Sequence, residues 1–273
     1  MGCLFSCLRG FGTMRVPPDA ARALAALGPA TLIIAVDYTK SNARNGQRTN
    51  GGRSLHTIAL AQAGPGARNP YEETLGALAP LHAALGARAP LRACGFGDAE
   101  TGARAVFNFM PAGGGVECAT LDDVMARYHE ITPGCVLGTP TSFAPVVQFS
   151  AQRAAESGEA HVLVIVTDSD PTHWDENVRA LIEAAQRAPT LSIVAVGVGD
   201  ARFDLLCKME LAAAAQCHFK NFAFVNLTAE RFDESGGAPV ERDGWRARVS
   251  ERVLGHVLAQ RTEAAAAAAM AAS

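Results

Sequence analysis

The sequence predicts an α/β fold, a doubly wound, mostly parallel sheet with helices on both faces in a three-layer sandwich. Three observations lead there. "TLIIAV" (31–36), "HVLVIVTD" (161–168) and "LSIVAVGVG" (191–199) are continuous apolar runs rich in β-branched residues, the pattern of strands covered on both faces. Between such runs lie segments whose apolar residues recur near every 3.6 positions, so strands and helices alternate along the chain. The 273 residues, 49% of them hydrophobic, suffice to bury a large core.

Residues 1–18, ending in Val16-Pro17-Pro18, read as a flexible tether. Asp19 suits the cap of a short helix, "AARALAAL", which Gly28-Pro29 stops. The first strand gives way to an exposed polar loop over 42–53. Asn69 and Pro70 open a helix in which Leu75, Leu78, Ala79, Leu81 and Leu85 keep helical spacing. "LRACGFG" (91–97) and "AVFNF" (105–109) read as strands. A Gly-rich loop follows, then the helix "TLDDVMARYHEI" (120–131), whose Thr120 and Asp123 make a capping box with Asp in place of Glu. An amphipathic helix over 143–157 precedes the strand at 161–168, and a helix with Val178, Leu181, Ile182 and Ala185 on one face precedes the strand at 191–199. "FAFVNLT" (222–228) is the last strand. Trp245, Val249, Val253 and Val257 form an i, i+4 stripe on a closing helix. The domain therefore covers 19–262, and residues 263–273 are an Ala-rich, weakly helical, frayed tail.

A net charge of -3 offers no concentrated basic surface, which argues against a nucleic-acid partner. Cys3, Cys7, Cys94, Cys118, Cys135, Cys207 and Cys217 are odd in number and lack paired C-x-x-C spacing, so they read as reduced thiols of an intracellular protein. No apolar run approaches the ~20 residues of a spanning helix, and no signal peptide is evident. Membrane attachment would be peripheral. Met1-Gly2-Cys3-Leu4-Phe5-Ser6 fits N-myristoylation at Gly2, with Cys3 and Cys7 beside it as palmitate acceptors. One myristoyl chain binds a membrane at only about 10⁴ M⁻¹, so the second chain makes the anchor stable. The expected location is the inner face of the plasma membrane when acylated, and otherwise cytosol or nucleus.

Ligands of such sheets collect at the carboxyl ends of the strands. Three polar loops belong to that edge: Asp37-x-Thr39-x-Ser41, Thr139-Pro140-Thr141-Ser142 and Thr167-Asp168-Ser169-Asp170. Taken singly, each is ordinary turn chemistry. Together they offer carboxylates and hydroxyls without thiolate or imidazole, a donor set for Mg²⁺, with Mn²⁺ or Ca²⁺ as alternatives. Gly95-x-Gly97 and Gly197-x-Gly199 do not complete G-x-G-x-x-G, and "PAGGGVE" lacks a following Gly-Lys-Ser/Thr. His56, His82, His129, His161 and His218 are dispersed, so structural roles are expected of them, and no catalytic constellation or small-molecule substrate is expected.

The motifs Asp37-Tyr38-Thr39-Lys40-Ser41-Asn42, Ser54-Leu55-His56, Asn69-Pro70-Tyr71-Glu72, Gly95-Phe96-Gly97-Asp98, Pro140-Thr141-Ser142-Phe143-Ala144-Pro145 and Gly197-Val198-Gly199-Asp200 resemble, in order, the von Willebrand A-type domain of copines. "NFAFVNLT" (221–228) and the acylatable N-terminus bring the chain nearest to the plant-type RING ubiquitin ligases that share this domain. The resemblance implies a metal-ion-dependent adhesion site. In it the hydroxyls of Thr39, Ser41 and Thr141 would contact Mg²⁺, Asp37 and Asp168 would act directly or through water, and an Asp or Glu of a protein partner would complete the shell. It implies an adaptor first, with a substrate-recruiting part in ubiquitin ligation and a metal-free scaffold as alternatives. Catalysis by this chain alone is not expected. Three departures stand out: Ser169 replaces the family's usual Gly after the second aspartate, one extra residue lengthens the loop before Thr141, and neither RING nor C2 sequence is present.

Overall fold

Among the described residues, six strands form one sheet in the order β3-β2-β1-β4-β5-β6. They are β1 (Thr31–Asp37), β2 (Leu91–Phe96), β3 (Val106–Asn108), β4 (His161–Thr167), β5 (Leu191–Gly197) and β6 (Phe222–Asn226). All neighbours pair in parallel except β3, which runs antiparallel along the β2 edge. This is a computed structural model, and it describes residues 19–58, 68–86, 89–110, 118, 120–216, 221–231 and 242–272. The tether with Gly2, Cys3 and Cys7, the Gly-rich loop 111–117, Cys217 and His218 lie outside the described residues.

Alternate residues of each central strand feed two cores. Leu32, Ile34 and Val36 of β1, with Val162, Val164 and Val166 of β4, face α1 (Ala20–Ala26), α2 (Pro70–Ala77), α3 (Ala79–Ala84), α4 (Leu121–Ile131) and α9 (Arg242–Ala272). Ile33, Ala35, Leu163 and Ile165 face α5 (Ala144–Ser157), α6 (Trp174–Arg187) and α7 (Asp204–Gln216). Covering on both sides explains the unbroken apolar runs, since no strand position there meets water. The stripe Trp245, Val249, Val253 and Val257 is buried, and Glu73 of α2 pairs with Arg246 of α9 at its rim. No helix among the described residues is long and apolar enough to cross a membrane.

Several expected details change for local reasons. Asp19 makes no side-chain cap; its carboxylate lies 3.6 Å from Arg22 instead. The single helix expected after Asn69 divides at Leu78, because Pro80 has no N–H for the Gly76 carbonyl and starts α3 afresh. Helix α7 went unread, as "DLLCKMELAAAAQ" has little contrast between its faces. The last strand stops at Asn226, and Leu227 and Thr228 begin α8 (Leu227–Arg231). The alanine tail, expected to fray, continues α9 to Ala272, in keeping with alanine's helix propensity. Thr120 and Asp123 form the predicted capping box, and Asn69 with Glu72 forms another.

The strand order reverses between β1 and β4, so their carboxyl ends flank the crevice where such sheets bind ligands. A buried imidazole braces that end of β1. His56 stacks between Tyr38 and Tyr71, with ring centroids 4.6 and 4.2 Å away. Its Nε2 lies 2.8 Å from the Asp37 carbonyl oxygen, which can only accept, so Nε2 carries the proton. Nδ1 then accepts from the Tyr128 hydroxyl at 2.9 Å, linking β1 to α4.

Burial lowers the His56 imidazole to about 4, against the hydrogen bond to Asp37 that favours its charged form. Below about pH 6.5 the unfolded chain takes up a proton that the native site refuses, so the contribution of His56 alone falls by about 3 kcal/mol as pH drops from about 6.5 to about 4, while the raised pKa values of Asp37 and Asp168 act in the opposite direction. His56→Gln, which keeps a donor for the carbonyl, is expected to show a shallower loss over that window in urea titrations. For the apolar core, Leu163→Ala is expected to cost about 2–5 kcal/mol. The same change at Leu211, 62% exposed, should stay within about 0.5 kcal/mol by the same measurement.

Candidate metal centre

Asp37 is the last residue of β1, and its side chain is fully buried. Oδ1 accepts from the Thr39 amide at 2.8 Å and Oδ2 from Thr167 Oγ1 at 2.6 Å. The first of these bonds folds the chain back on the carboxylate. It leads into a 3₁₀ turn over Lys40–Ala43 and sets Thr39 Oγ1 2.9 Å from Ser41 Oγ. Two glycines let neighbouring loops close on Thr39. Gly97, at φ +77°, leaves no room for a Cβ, which would sit 2.4 Å from Thr39 Cγ2. Gly138 forms a parallel bridge with Thr39, where a Cβ would lie 2.3 Å from the Asp98 carbonyl.

That bridge delivers the loop carrying Thr141. Thr141 Oγ1 donates to Thr39 Oγ1 at 3.3 Å, and its carbonyl accepts from the Thr172 amide at 2.9 Å. Asn177 fixes the next turn, its Oδ1 accepting from the Phe143 and Ala144 amides at 2.5 and 3.0 Å. Asp168 follows β4. Its Oδ1 accepts from Ser41 Oγ at 2.8 Å and Asn42 Nδ2 at 3.0 Å, and its Oδ2 from Asn45 Nδ2 at 2.9 Å. Asp37, Thr39, Ser41, Thr141 and Asp168 thus meet in one hydrogen-bonded group, although 131 positions separate the first from the last.

Both carboxylates are fully buried, and every hydrogen-bond partner given above for them is neutral. Burial raises the pKa of Asp37, against hydrogen bonds from Thr167 and Thr39 that lower it. Burial, and then the charge of Asp37, raises that of Asp168. Two acids in the interior without a counter-charge are costly as anions, and a divalent cation beside them would offset that cost. Among the described residues, no group of three or more His, Cys, Asp and Glu side chains gathers as a metal site. The donors here are hydroxyls and two carboxylates, which fit a hard cation.

The loop after β4 divides its labour in a way the sequence does not reveal. Asp170, in the same polar loop, turns away and accepts from the Leu205 and Leu206 amides at 3.1 and 2.9 Å, at the start of α7. Ser169 turns inward. Sequence reasoning passed over Asn42, Asn45 and Tyr71 as members of the site, and placed Thr167 in its loop without a role. Tyr71 donates to Asn42 Oδ1 at 2.7 Å, which aims the amide group at Asp168. Asn42 and Tyr71 lie within the quoted motifs, which was the available signal. For Asn45 there was none.

A family profile described as Copine matches residues 54–271. Copine family protein 1 of Caenorhabditis elegans is 38% identical over 182 residues, covering 67% of this chain and 16% of its own length. The E3 ubiquitin-protein ligase RGLG1 of Arabidopsis thaliana is 35% identical over 215 residues, covering 75% of this chain and 42% of its own. The chain therefore spans less than half the length of either relative. Among solved structures, a mutant of the PilB minor pilin from Streptococcus sanguinis shares the fold, with a TM-score of 0.50 at 6% identity over 85% of this chain and 62% of that one. With a family match across most of its length on a six-stranded α/β sheet, the chain belongs to the copine family and carries its von Willebrand A-type domain.

Proposed function

We propose that this domain is a protein-binding module in which Asp37, Thr39, Ser41, Thr141 and Asp168 hold Mg²⁺, or Mn²⁺ or Ca²⁺ in its place, and an Asp or Glu of a protein partner completes the shell. The observation that carries the reading is the meeting of three hydroxyls with two buried, uncompensated carboxylates at the switch point of the sheet. A bound cation would supply a positive centre with a free position for one further oxygen. The chain's own part is orientation: Asp168 accepts a hydrogen bond from Ser41, which turns the hydroxyl's lone pairs away from it. Lys40 and Arg44, both exposed and in the segment around Ser41, favour an acidic partner surface.

The N-terminal pattern extends the proposal to acylation at Gly2 with Cys3 or Cys7, which would hold the module at the inner face of the plasma membrane. A second reading, recruitment of substrates for ubiquitin ligation, is favoured by the identity with a relative named as an E3 ubiquitin-protein ligase. A metal-free scaffold is the third.

Calorimetric titration of the purified chain with MgCl₂ and MnCl₂ is expected to show one site. Asp37→Ala should weaken it at least tenfold with circular dichroism unchanged, and absence of heat in the unmodified chain would favour the scaffold. In affinity capture from cells, partner recovery is expected to fall at least tenfold with chelator or with Asp37→Ala. Recovery indifferent to both would sink the adhesion reading. Mass spectrometry of the N-terminal peptide in the same sample should find myristate on Gly2 and an acyl chain on Cys3 or Cys7.

A further inference from the structure

We propose that Ser169 Oγ is a fourth hydroxyl donor of the metal centre, beside Thr39, Ser41 and Thr141; this rests on the metal reading given above. The four oxygens form a closed ring. Thr39 Oγ1 lies 2.9 Å from Ser41 Oγ, Ser41 Oγ 3.2 Å from Ser169 Oγ, Ser169 Oγ 3.1 Å from Thr141 Oγ1, and Thr141 Oγ1 3.3 Å from Thr39 Oγ1. An octahedral Mg²⁺, with oxygens at about 2.0–2.1 Å, separates adjacent ligands by about 2.9 Å, and Ca²⁺, at about 2.3–2.6 Å, by about 3.3 Å or more. The ring's edges run from the one spacing to the other. Without Ser169 the ring is open on one side, and the three remaining hydroxyls form a chain.

Ser169 is held for this role by the group that also holds Asp37. Thr167 Oγ1 donates to Asp37 Oδ2 at 2.6 Å, lies 3.1 Å from the Ser169 carbonyl oxygen, and accepts from the Ser169 amide at 3.4 Å. The serine backbone is therefore tied to the first aspartate. Phe203 is the one residue other than glycine with positive φ among the described residues, so Ser169 sits here without left-handed strain. The side chain is half-buried, at the open side of the group, while Asp37 and Asp168 lie beneath it. A glycine at this position, as the family pattern has, would leave that corner to a water molecule. The serine spends the corner on the protein, which keeps fewer positions for solvent around the ion.

The test uses the full chain loaded with Mn²⁺, compared with Ser169→Ala and Ser169→Gly. Calorimetry gives the affinity, and water-proton relaxation gives the number of waters directly on the bound ion. Each variant is expected to bind Mn²⁺ about tenfold more weakly and to carry one more water. An unchanged water count in both variants, whatever the affinity, would overturn the role of Ser169 and leave the metal module standing. If the unmodified chain binds no Mn²⁺, the metal reading and this inference fall together. Equal melting temperatures of the three chains in chelator are expected, as Ser169 contributes to the ring and not to the core.

Discussion

Two carboxylates lie in the interior of this domain with only neutral groups as their hydrogen-bond partners, and most of the architecture around the switch point follows from that. A buried anion without a counter-charge persists only where hydrogen-bond donors replace its hydration. Asp37 has the Thr39 amide and the Thr167 hydroxyl; Asp168 has Ser41, Asn42 and Asn45. The Thr39 bond is local, but Ser41, Asn42 and Asn45 of the loop after β1 reach Asp168, and Thr167 of β4 reaches Asp37, only when the parallel pairing of β1 with β4 is in register. The sheet is what makes the pair tolerable. Burial raises the pKa of both acids, so a cation beside them would offset the cost of their charged forms.

Asp37 is fixed at its other end too. Its backbone carbonyl accepts from His56 Nε2 at 2.8 Å and Asn42 Nδ2 at 3.2 Å, and Tyr71, whose hydroxyl donates mainly to Asn42, lies 3.2 Å away. Through His56 and Tyr128 this grip extends to α4, and through Tyr71 to α2. The helix layer thereby sets where a strand-end carboxylate sits. His56 must stay neutral for this, because both of its ring nitrogens are committed, one as donor and one as acceptor. A histidine that reads as structural in the sequence is therefore a positioning residue of the candidate site.

What could be read from the sequence was whatever is local or periodic. The runs 31–36, 161–168 and 191–199 are apolar at every position, because both sheet faces are covered, and no helix of that composition would be so short. The convergence of Asp37, Thr141 and Asp168 could be inferred because three loops of one chemistry share one sheet edge. Pairings that depend on distance through space left no trace. Asn45 reaches Asp168 across 123 positions, and Asp170 caps α7 across 35 and 36. Helix α7 escaped for another reason: its alanines give no polar face to contrast with an apolar one, so burial against β5 and β6 decided its state.

The segment Thr167-Asp168-Ser169-Asp170 compresses the logic of the site into four residues. Thr167 ends the strand and ties both Asp37 and the serine backbone; Asp168 accepts the hydrogen bond of Ser41; Ser169 faces the other hydroxyls; Asp170 leaves to start a helix. Only one of the two aspartates faces the hydroxyls, and that matters for charge. Hydroxyl donors are neutral, so an ion held by them keeps most of its positive charge for whatever oxygen arrives last. Had Asp170 turned inward as well, a third carboxylate would stand beside the centre and offset more of the charge of an ion held there. With Asp170 committed to the first amides of α7, the fold brings no third carboxylate to the hydroxyls, and a cation held there as proposed would keep more of its charge for an external oxygen.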